Sequence, residues 1–245
     1  MAKKPRAEAE NKSAPSREQF LDVAERLMSE RGYAGTSVSA ICKEVGVAAT
    51  SLYWHFGSKE GLLAAVMERG AARWFASLPR WDDLPGDAGE RAAQVRRRGA
   101  TAVTGHPLFL RLFYLLALEG AADEVAAELV QRVRERARSY FAEAINGMLA
   151  DAAEPEIARR ASEELARFAV AFSDGCFFAT QLEPGDADLQ IMYGDLLTAL
   201  WALAPAALAR AHRTKDMTAQ ERSERTMDTA EPSLVPEPSA GEVRS

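Results

Sequence analysis

The sequence predicts an all-α protein of about nine helices, and three observations support that fold class. Helix-favouring residues, above all Ala, Leu, Glu and Arg, dominate a chain of 245 residues in which 47% are hydrophobic. Apolar residues recur at spacings of three and four along most segments. No segment shows the alternating pattern of a β-strand, a glycine-rich phosphate loop or an internal repeat.

The first predicted helix follows a capping box at Ser16 and Gln19, in which each side chain accepts from the other residue's backbone N–H. Behind it, Phe20, Val23, Ala24, Leu27 and Met28 form one apolar stripe. Gly32 suits the left-handed conformation that often ends a helix, so we expect the helix to stop there.

Two short helices are predicted next. Thr36 or Ser37 begins the second, whose inward residues are Val38, Ile41, Cys42 and Val45. Gly46 and Val47 break the pattern, and a third helix covers residues 48–56. Three short helices with a glycine break between the second and third are what a helix-turn-helix requires.

The remaining predicted helices are longer. Gly57 and Ser58 precede the fourth, Asp87 with Glu90 opens the fifth, and Pro107 opens the sixth, which is apolar nearly all round. In chain order these helices cover residues 59–78, 87–104, 107–118, 122–149, 155–182 and 187–209.

The third helix carries the residues predicted to contact DNA. A recognition helix exposes small or polar residues at its N-terminal end, where base edges are reached, and Ala49, Thr50 and Ser51 occupy that end. Leu52 and Phe56 face the core. Phosphate contacts, which position the protein without reading sequence, are predicted for Tyr53, Trp54, His55 and Lys59.

Three stretches carry a resemblance to a known family. They read Arg31-Gly-Tyr-Ala-Gly-Thr-Ser-Val-Ser-Ala-Ile, Val45-Gly-Val and Ser51-Leu-Tyr-Trp-His-Phe-Gly-Ser-Lys-Glu-Gly-Leu. In this order they resemble the DNA-binding domain of the TetR (tetracycline-repressor-like) family, over roughly residues 16–67. The resemblance implies that Thr36 and Ser37 contact phosphate. Many members have Lys or Arg where this chain has Ala49, so base recognition is expected to use hydroxyl contacts and thymine methyl groups.

Composition predicts the two tails of the chain, and the resemblance, which beyond the DNA-binding region extends only to helix number and two final apolar helices, implies the domains between them. We expect a disordered tail at 1–15, a helix-turn-helix domain at 16–62, an effector-binding and dimerisation domain at 63–210, and a disordered tail at 211–245. The expected partners are operator DNA, a small and apolar effector, and a second copy of the chain. The residues predicted to line the effector pocket are Trp74, His106, Phe109, Phe113, Tyr114, Phe141 and Phe172.

The dimer interface is predicted on the last two helices, because both carry apolar residues on more than one face. Its predicted members are Leu165, Phe168, Phe172, Cys176, Leu196, Leu200 and Trp201. In the resembled family, two such helices from each subunit form a four-helix bundle.

Composition argues against several other classes. The net charge of −6 neither indicates nor excludes nucleic-acid binding, and two cysteines predict no disulfide framework, metal site or cofactor. The longest near-apolar stretch, at 196–209, is shorter than the roughly 18 residues of a membrane span, so a cytoplasmic protein is expected. An activator or dual regulator stays open. An enzyme is not expected, because no catalytic set is visible, and the helix-turn-helix pattern argues against a protein-binding adaptor.

Overall fold

The computed structural model describes residues 16–119 and 124–228, with side chains described as far as residue 217. These ranges contain nine α-helices, one short 3₁₀ turn at Trp81–Asp83 and no strand, which confirms the predicted fold class. The helices are α1 (Arg17–Arg31), α2 (Val38–Val45), α3 (Ala49–Phe56), α4 (Lys59–Ser77), α5 (Ala88–Gly105), α6 (Pro107–Glu119), α7 (Glu124–Leu149), α8 (Pro155–Leu182) and α9 (Leu189–Asp228).

The first helix begins as predicted. The Ser16 hydroxyl accepts from the Gln19 backbone N–H at 3.3 Å, and the Gln19 side chain accepts from the Ser16 N–H at 2.9 Å. At the other end Gly32 has a φ of 74°, a conformation that costs glycine little. The first cap sets where α1 begins, and Gly32 sets where α1 ends and the loop to α2 starts.

An ion-pair cluster attaches α4 to α1. Arg69 of α4 donates to Glu18 at 3.0 Å, to Asp22 at 2.7 Å and to Glu25 at 2.7 Å, and all three carboxylates belong to α1. The Arg69 side chain is only 10% exposed, so water screens these pairs less than at an open surface. The middle of α4 is thereby held against α1, the helix that supports α2 and α3.

The C-terminal helices form a layered bundle. The helices α7, α8 and α9 pack in sequence, α5 lies against α9, and α6 contacts both α1 and α7. One continuous apolar cluster includes Leu52 and Leu62 near the N-terminus together with Phe113 and Tyr193 of the bundle. Because the two regions share a core, displacement of one strains the other.

The last helix is longer than predicted, and the expected disorder after residue 210 is wrong for 211–228, where α9 continues to Asp228. The apolar pattern stops near residue 210, but a helix can continue beyond it when its polar side chains form ion pairs with a neighbouring helix. Here Arg210 pairs with Glu164, and Lys215 donates to Glu154 at 2.5 Å. The predicted tails at 1–15 and 229–245 lie outside the described residues.

Candidate functional site

The helices α2 and α3 are joined by the short connection 46–48. The Ser37 hydroxyl accepts from the Ala40 N–H at 3.1 Å and caps α2, which settles the choice between Thr36 and Ser37. Gly46 ends α2 in the left-handed conformation with a φ of 83°. The chain therefore turns sharply into α3, as a helix-turn-helix requires.

One face of α3 is anchored in the core and the opposite face is open. Leu52 is fully buried, and the half-buried Phe56 meets the Phe20 ring edge-on at a centroid distance of 5.9 Å. Ala49 and Thr50 are exposed, and Ser51 is half-buried. The three residues predicted to contact bases therefore lie together at the accessible end of α3.

Aromatic side chains extend this open face. Trp54 is 81% exposed and Tyr53 is 49% exposed, which is unusual for residues of this size. The half-buried His55 ring lies 4.6 Å from the Trp54 ring and 5.6 Å from the Phe20 ring. The sequence placed these three at the flank of α3, and all three retain accessible surface.

Lys59 has a second partner that the sequence did not indicate. Its ammonium group donates to the Tyr33 carbonyl at 2.7 Å and lies 4.1 Å above the centroid of the Tyr33 ring. An ammonium group has three donors, so this contact leaves others for a phosphate. Lys59 thus joins the start of α4 to the loop before α2.

Thr36 differs from prediction. Its side chain is fully buried, and its hydroxyl lies 2.8 Å from the Gly32 carbonyl and 3.2 Å from the Leu27 carbonyl. The predicted phosphate contact through this hydroxyl is therefore wrong. The exposed neighbour Ser37 keeps an accessible position, although its hydroxyl caps α2.

A second candidate site lies inside the helical bundle. Two adjoining cavities of about 40 Å³ each share five lining residues: Trp74, Ala137, Phe141, Ser173 and Tyr193. The first is enclosed by α4, α5, α7, α8 and α9, and the second by α4 to α9. Each has room for water, whereas ligand cavities in proteins measure roughly 300–1,000 Å³.

Two buried polar atoms at these cavities have no protein partner. They are Nε1 of Trp74 and the hydroxyl of Tyr140, and both residues line the first cavity. Buried polar groups without a partner are rare and call for an explanation. Burial raises the pKa of Tyr140 and raises that of Tyr193 to about 12, so both hydroxyls stay protonated at neutral pH.

A polar cluster separates the second cavity from an open cleft of about 750 Å³ between α6, α7 and α8. The Tyr114 hydroxyl donates to one oxygen of Asp174 at 2.8 Å, and Arg134 donates to the other at 2.5 Å. Burial, followed by the Asp174 charge, raises the pKa of Tyr114. These three residues and Phe113 line both the cleft and the cavity.

The structure brings only some of the residues predicted for the effector pocket to these cavities. Trp74, Phe113, Tyr114 and Phe141 line the two cavities, whereas His106, Phe109 and Phe172 line neither of them. The reasons differ between these three residues. His106 caps the C-terminal end of α5, Phe109 packs against Gly70 of α4, and the Phe172 ring lies 6.2 Å from that of Phe168.

The sequence missed Tyr140, Ser173 and Tyr193. Tyr140 and Ser173 lie on long amphipathic helices, where a single polar residue is typical of the solvated face. Tyr193 lies near the start of α9, where its ring packs within 3.1 Å of a β-carbon position at Gly99 of α5. Only the packing of four helices brings these groups to one cavity, so no local signal identifies them.

Large apolar side chains on α8 and α9 remain exposed. Phe168, Trp201 and Leu203 are 37%, 45% and 38% exposed, whereas Phe172 is half-buried. Four predicted interface residues are instead buried within one chain, because α8 packs between α7 and α9 while α9 packs on α5 and α8: Leu165, Cys176, Leu196 and Leu200. The direct interface role predicted for those four is therefore wrong.

The segment Leu189–Met217 of α9 is long and apolar enough, by length and composition alone, to cross a membrane. One face of this segment packs on α5 and α8, and most of its residues are exposed or only partly buried. The described residues contain no group of three or more His, Cys, Asp or Glu side chains that could hold a metal ion.

Comparison with known proteins identifies the N-terminal region. Residues 20–66 match the family model for bacterial regulatory proteins of the tetR family. The HTH-type transcriptional regulator AcrR of Shigella flexneri is 40% identical over 68 residues, which cover 28% of this chain and 30% of AcrR. The HTH-type transcriptional repressor AcnR of Corynebacterium glutamicum is 35% identical over 65 residues, covering 26% of this chain and 35% of AcnR.

Solved structures share the fold over most of the chain. A Pseudomonas aeruginosa PAO1 protein described as a transcriptional regulator aligns with a TM-score of 0.68 at 18% identity, covering 79% of this chain and 92% of that one. The SmeT–triclosan complex aligns with a TM-score of 0.59 at 23% identity, covering 75% of this chain and 90% of that one. The sequence relatives match over only about a third of their own length, so the likeness beyond residue 66 is one of fold.

Proposed function

We propose that the chain, whose residues 20–66 match the tetR family model, is a homodimeric, cytoplasmic transcriptional repressor of that family rather than an enzyme. It binds operator DNA through α3 and leaves the DNA when a small molecule binds inside the helical bundle. The repressor assignment draws on the relative AcnR, whose name describes a repressor.

The observation that carries DNA binding is the open face of α3. The buried Leu52 anchors one side of α3 in the core. The opposite side exposes Ala49, Thr50, Tyr53 and Trp54, of which Trp54 is 81% exposed. An isolated helix of this length would not hold these side chains in fixed positions. Here α1 and α4 pack against α3 through Phe20 and Leu62 and keep it in place. Rigid presentation of small and polar residues is what major-groove readout requires.

The residues of this face divide into two classes. Thr50 and Ser51, near the N-terminal end of α3, are the proposed base contacts, whereas Tyr53, Trp54, His55 and Lys59 are the proposed phosphate contacts. Base contacts determine which sequence is preferred, and phosphate contacts add affinity for every duplex. Single substitutions therefore separate the two roles.

The DNA proposal is tested by selecting binding sites from a random pool of double-stranded DNA and measuring affinity by fluorescence anisotropy. We expect a two-fold symmetric site. Replacing Tyr53 by Ala should weaken binding to the selected and the scrambled duplex equally, by about tenfold. Replacing Thr50 by Ala should reduce mainly the ratio between the two affinities.

Leu118→Ala is the control, because Leu118 is 72% exposed on α6 and belongs to neither proposed contact class. It should bind both duplexes as the wild type does. Failure to enrich any site from the pool, or a Tyr53→Ala protein that binds with unchanged affinity, would show that α3 does not contact DNA.

Support for effector release comes from the route between the cavities and α3. Trp74 lines both cavities near the C-terminal end of α4, and α4 begins directly after α3. Arg69, between these ends, is paired with three carboxylates of α1. Displacement of Trp74 would therefore move α1 and α3 together, as one unit.

The size of the effect follows from linkage. A ligand that favours the conformation unable to bind DNA by about 1–3 kcal/mol changes operator affinity by about 5- to 150-fold. Operator DNA must weaken ligand binding by the same factor. SmeT, which shares this fold, has been solved as a complex with triclosan, and this supports a small-molecule ligand for this chain.

Support for the dimer comes from the exposed apolar surface that α8 and α9 carry at Phe168, Trp201 and Leu203, because contact of such surface with water is unfavourable. A second copy packing the same two helices in a two-fold arrangement would bury it. The same symmetry would set two α3 helices against two half-sites about one DNA turn apart.

A further inference from the structure

The two unpartnered donors at the first cavity indicate the chemistry of what enters it. Trp74 Nε1 carries a hydrogen and can only donate, and the Tyr140 hydroxyl can donate or accept. Neither atom is exposed, and neither finds a protein acceptor. A buried donor left unpaired destabilises the fold. A ligand that accepts hydrogen bonds from both groups would therefore bind more tightly and remove this penalty.

The charges at the cavities argue against an ionic occupant. Arg134 and Asp174 neutralise each other at 2.5 Å, and Arg96 extends outward to donate to the Gln190 carbonyl at 3.1 Å. An anion in the first cavity would meet only Arg96, whose guanidinium already donates to the Gln190 backbone and side chain, and burial of a charge without a full partner is strongly unfavourable. A cation could not accept from Trp74.

The remaining lining is aromatic and aliphatic. Phe141, Tyr193, Leu196 and Leu200 surround the first cavity, together with the faces of the Trp74 and Tyr140 rings. Such walls favour a flat, apolar body. Each cavity holds only about 40 Å³, so a ring compound must push the helices apart. Trp74 lines both cavities and lies on α4, the helix that follows α3 in the chain.

We propose that the effector is an uncharged ring compound bearing an oxygen that accepts hydrogen bonds, and that Trp74 Nε1 and the Tyr140 hydroxyl donate to it. The proposal rests on the proposed function of the bundle as an effector domain. It assigns both residues to ligand selection, so that their polar atoms are unpaired only while the cavities are empty.

The test uses matched probe pairs and the full chain. Acetophenone, benzophenone and fluorenone are each compared with the hydrocarbon in which CH₂ replaces the carbonyl, and benzoate and benzyltrimethylammonium test charge. Isothermal titration calorimetry gives the affinities for wild type, Trp74→Phe, Tyr140→Phe and the double variant. Trp81→Phe is the control, because Trp81 is a buried indole outside both cavities.

For at least one ketone we expect binding about tenfold tighter than that of its hydrocarbon, the effect of one well-made hydrogen bond. The preference should fall below about twofold in the double variant and stay unchanged in Trp81→Phe. Tyr140→Phe should not lower the melting temperature of the empty protein, because the lost hydroxyl had no partner. If Tyr140 had only a structural role, Tyr140→Phe would lower the melting temperature and leave the preference for the ketone unchanged.

Equal binding of ketone and hydrocarbon would overturn the proposal, as would no ketone binding up to its solubility limit or tighter binding of either charged probe. Release from operator DNA is measured separately. A ketone that binds through Trp74 and Tyr140 but leaves the operator complex intact would refute effector release and leave the ligand chemistry standing. An unrelated compound that releases operator DNA even from the double variant would support effector release and refute the assigned ligand chemistry.

Discussion

Gly70 of α4 lies directly against the ring of Phe109 of α6: a β-carbon at Gly70 would be 2.4 Å from Cδ2 and 2.9 Å from Cγ of that ring. Phe109 is 2% exposed, so it has no free space into which to withdraw. The close approach holds α4 and α6 together between the DNA-binding helices and the cavities. Only glycine permits it.

We therefore expect Gly70→Ala to destabilise the protein by about 1–3 kcal/mol, the usual effect of overpacking a core. The measurement is urea unfolding followed by circular dichroism. Gly105→Ala is the control, since a β-carbon at the end of α5 meets nothing within 4 Å. A Gly70→Ala protein as stable as the control would mean that α4 and α6 separate easily at this point.

The helix-turn-helix could be predicted from the sequence because its signals are local. The capping box at Ser16, the glycine breaks at 46 and 57 and the inward Leu52 each determine structure within a few residues of themselves. Thr36 was misassigned because the loop that buries it is shaped by the end of α1 and by Lys59, and neither contact is visible as a spacing.

The cavities and the interface could not be predicted in the same way. Leu196 and Leu200 were assigned to a dimer face, but α5 and α8 cover them inside one chain. Periodicity shows that a helix is apolar on two faces without showing which partner covers each. The same ambiguity hid Tyr140 and Tyr193, whose roles depend on helices that are distant in sequence.

Trp54 should become protected when DNA binds. It is the most exposed of the four tryptophans, and it lies beside the proposed base contacts. We expect acrylamide quenching of its fluorescence to fall in the complex with a selected duplex, and Trp54→Ala to lose about tenfold in affinity.

Trp54→Phe supplies the control, because it removes the reporter and should abolish the change in quenching. Anisotropy must confirm that binding is complete. Unchanged quenching in a saturated complex would show that the flank of α3 does not face the duplex.

A charge on the exposed face of α8 and α9 should separate the subunits. Phe168→Glu and Trp201→Glu each place a carboxylate where the proposed interface excludes water, and an unpaired buried charge is strongly destabilising. Sedimentation velocity at micromolar concentration should show a monomer, and affinity for the two-fold site should fall by at least about tenfold because one half-site is lost.

Leu118→Glu introduces the same charge at an exposed leucine of α6 and should leave the dimer intact. A wild-type chain that sediments as a monomer would refute the dimer. Dimers that persist in both the Phe168→Glu and Trp201→Glu proteins would place the interface elsewhere.

The buried tyrosines should make the fold sensitive to alkaline pH. Burial raises the pKa of Tyr193 from 10.0 to about 12, and raises that of Tyr114 and Tyr140 as well. Above pH 10 the unfolded chain releases these protons while the folded chain keeps them. The free energy of unfolding should therefore be fully retained below pH 10 and should fall as pH rises toward 12, by about 1.4 kcal/mol per pH unit for each such group.

Other groups also titrate in this range, so the comparison is between variants. Tyr193→Phe should show a shallower loss of stability between pH 9 and pH 11 than the wild type, as measured by urea unfolding at each pH. Leu118→Ala changes a 72% exposed side chain that carries no titratable group and should follow the wild-type curve. If the Tyr193→Phe curve runs parallel to the wild-type curve, the Tyr193 phenol titrates equally in the folded and unfolded chains, and the wall of the cavity is open to water.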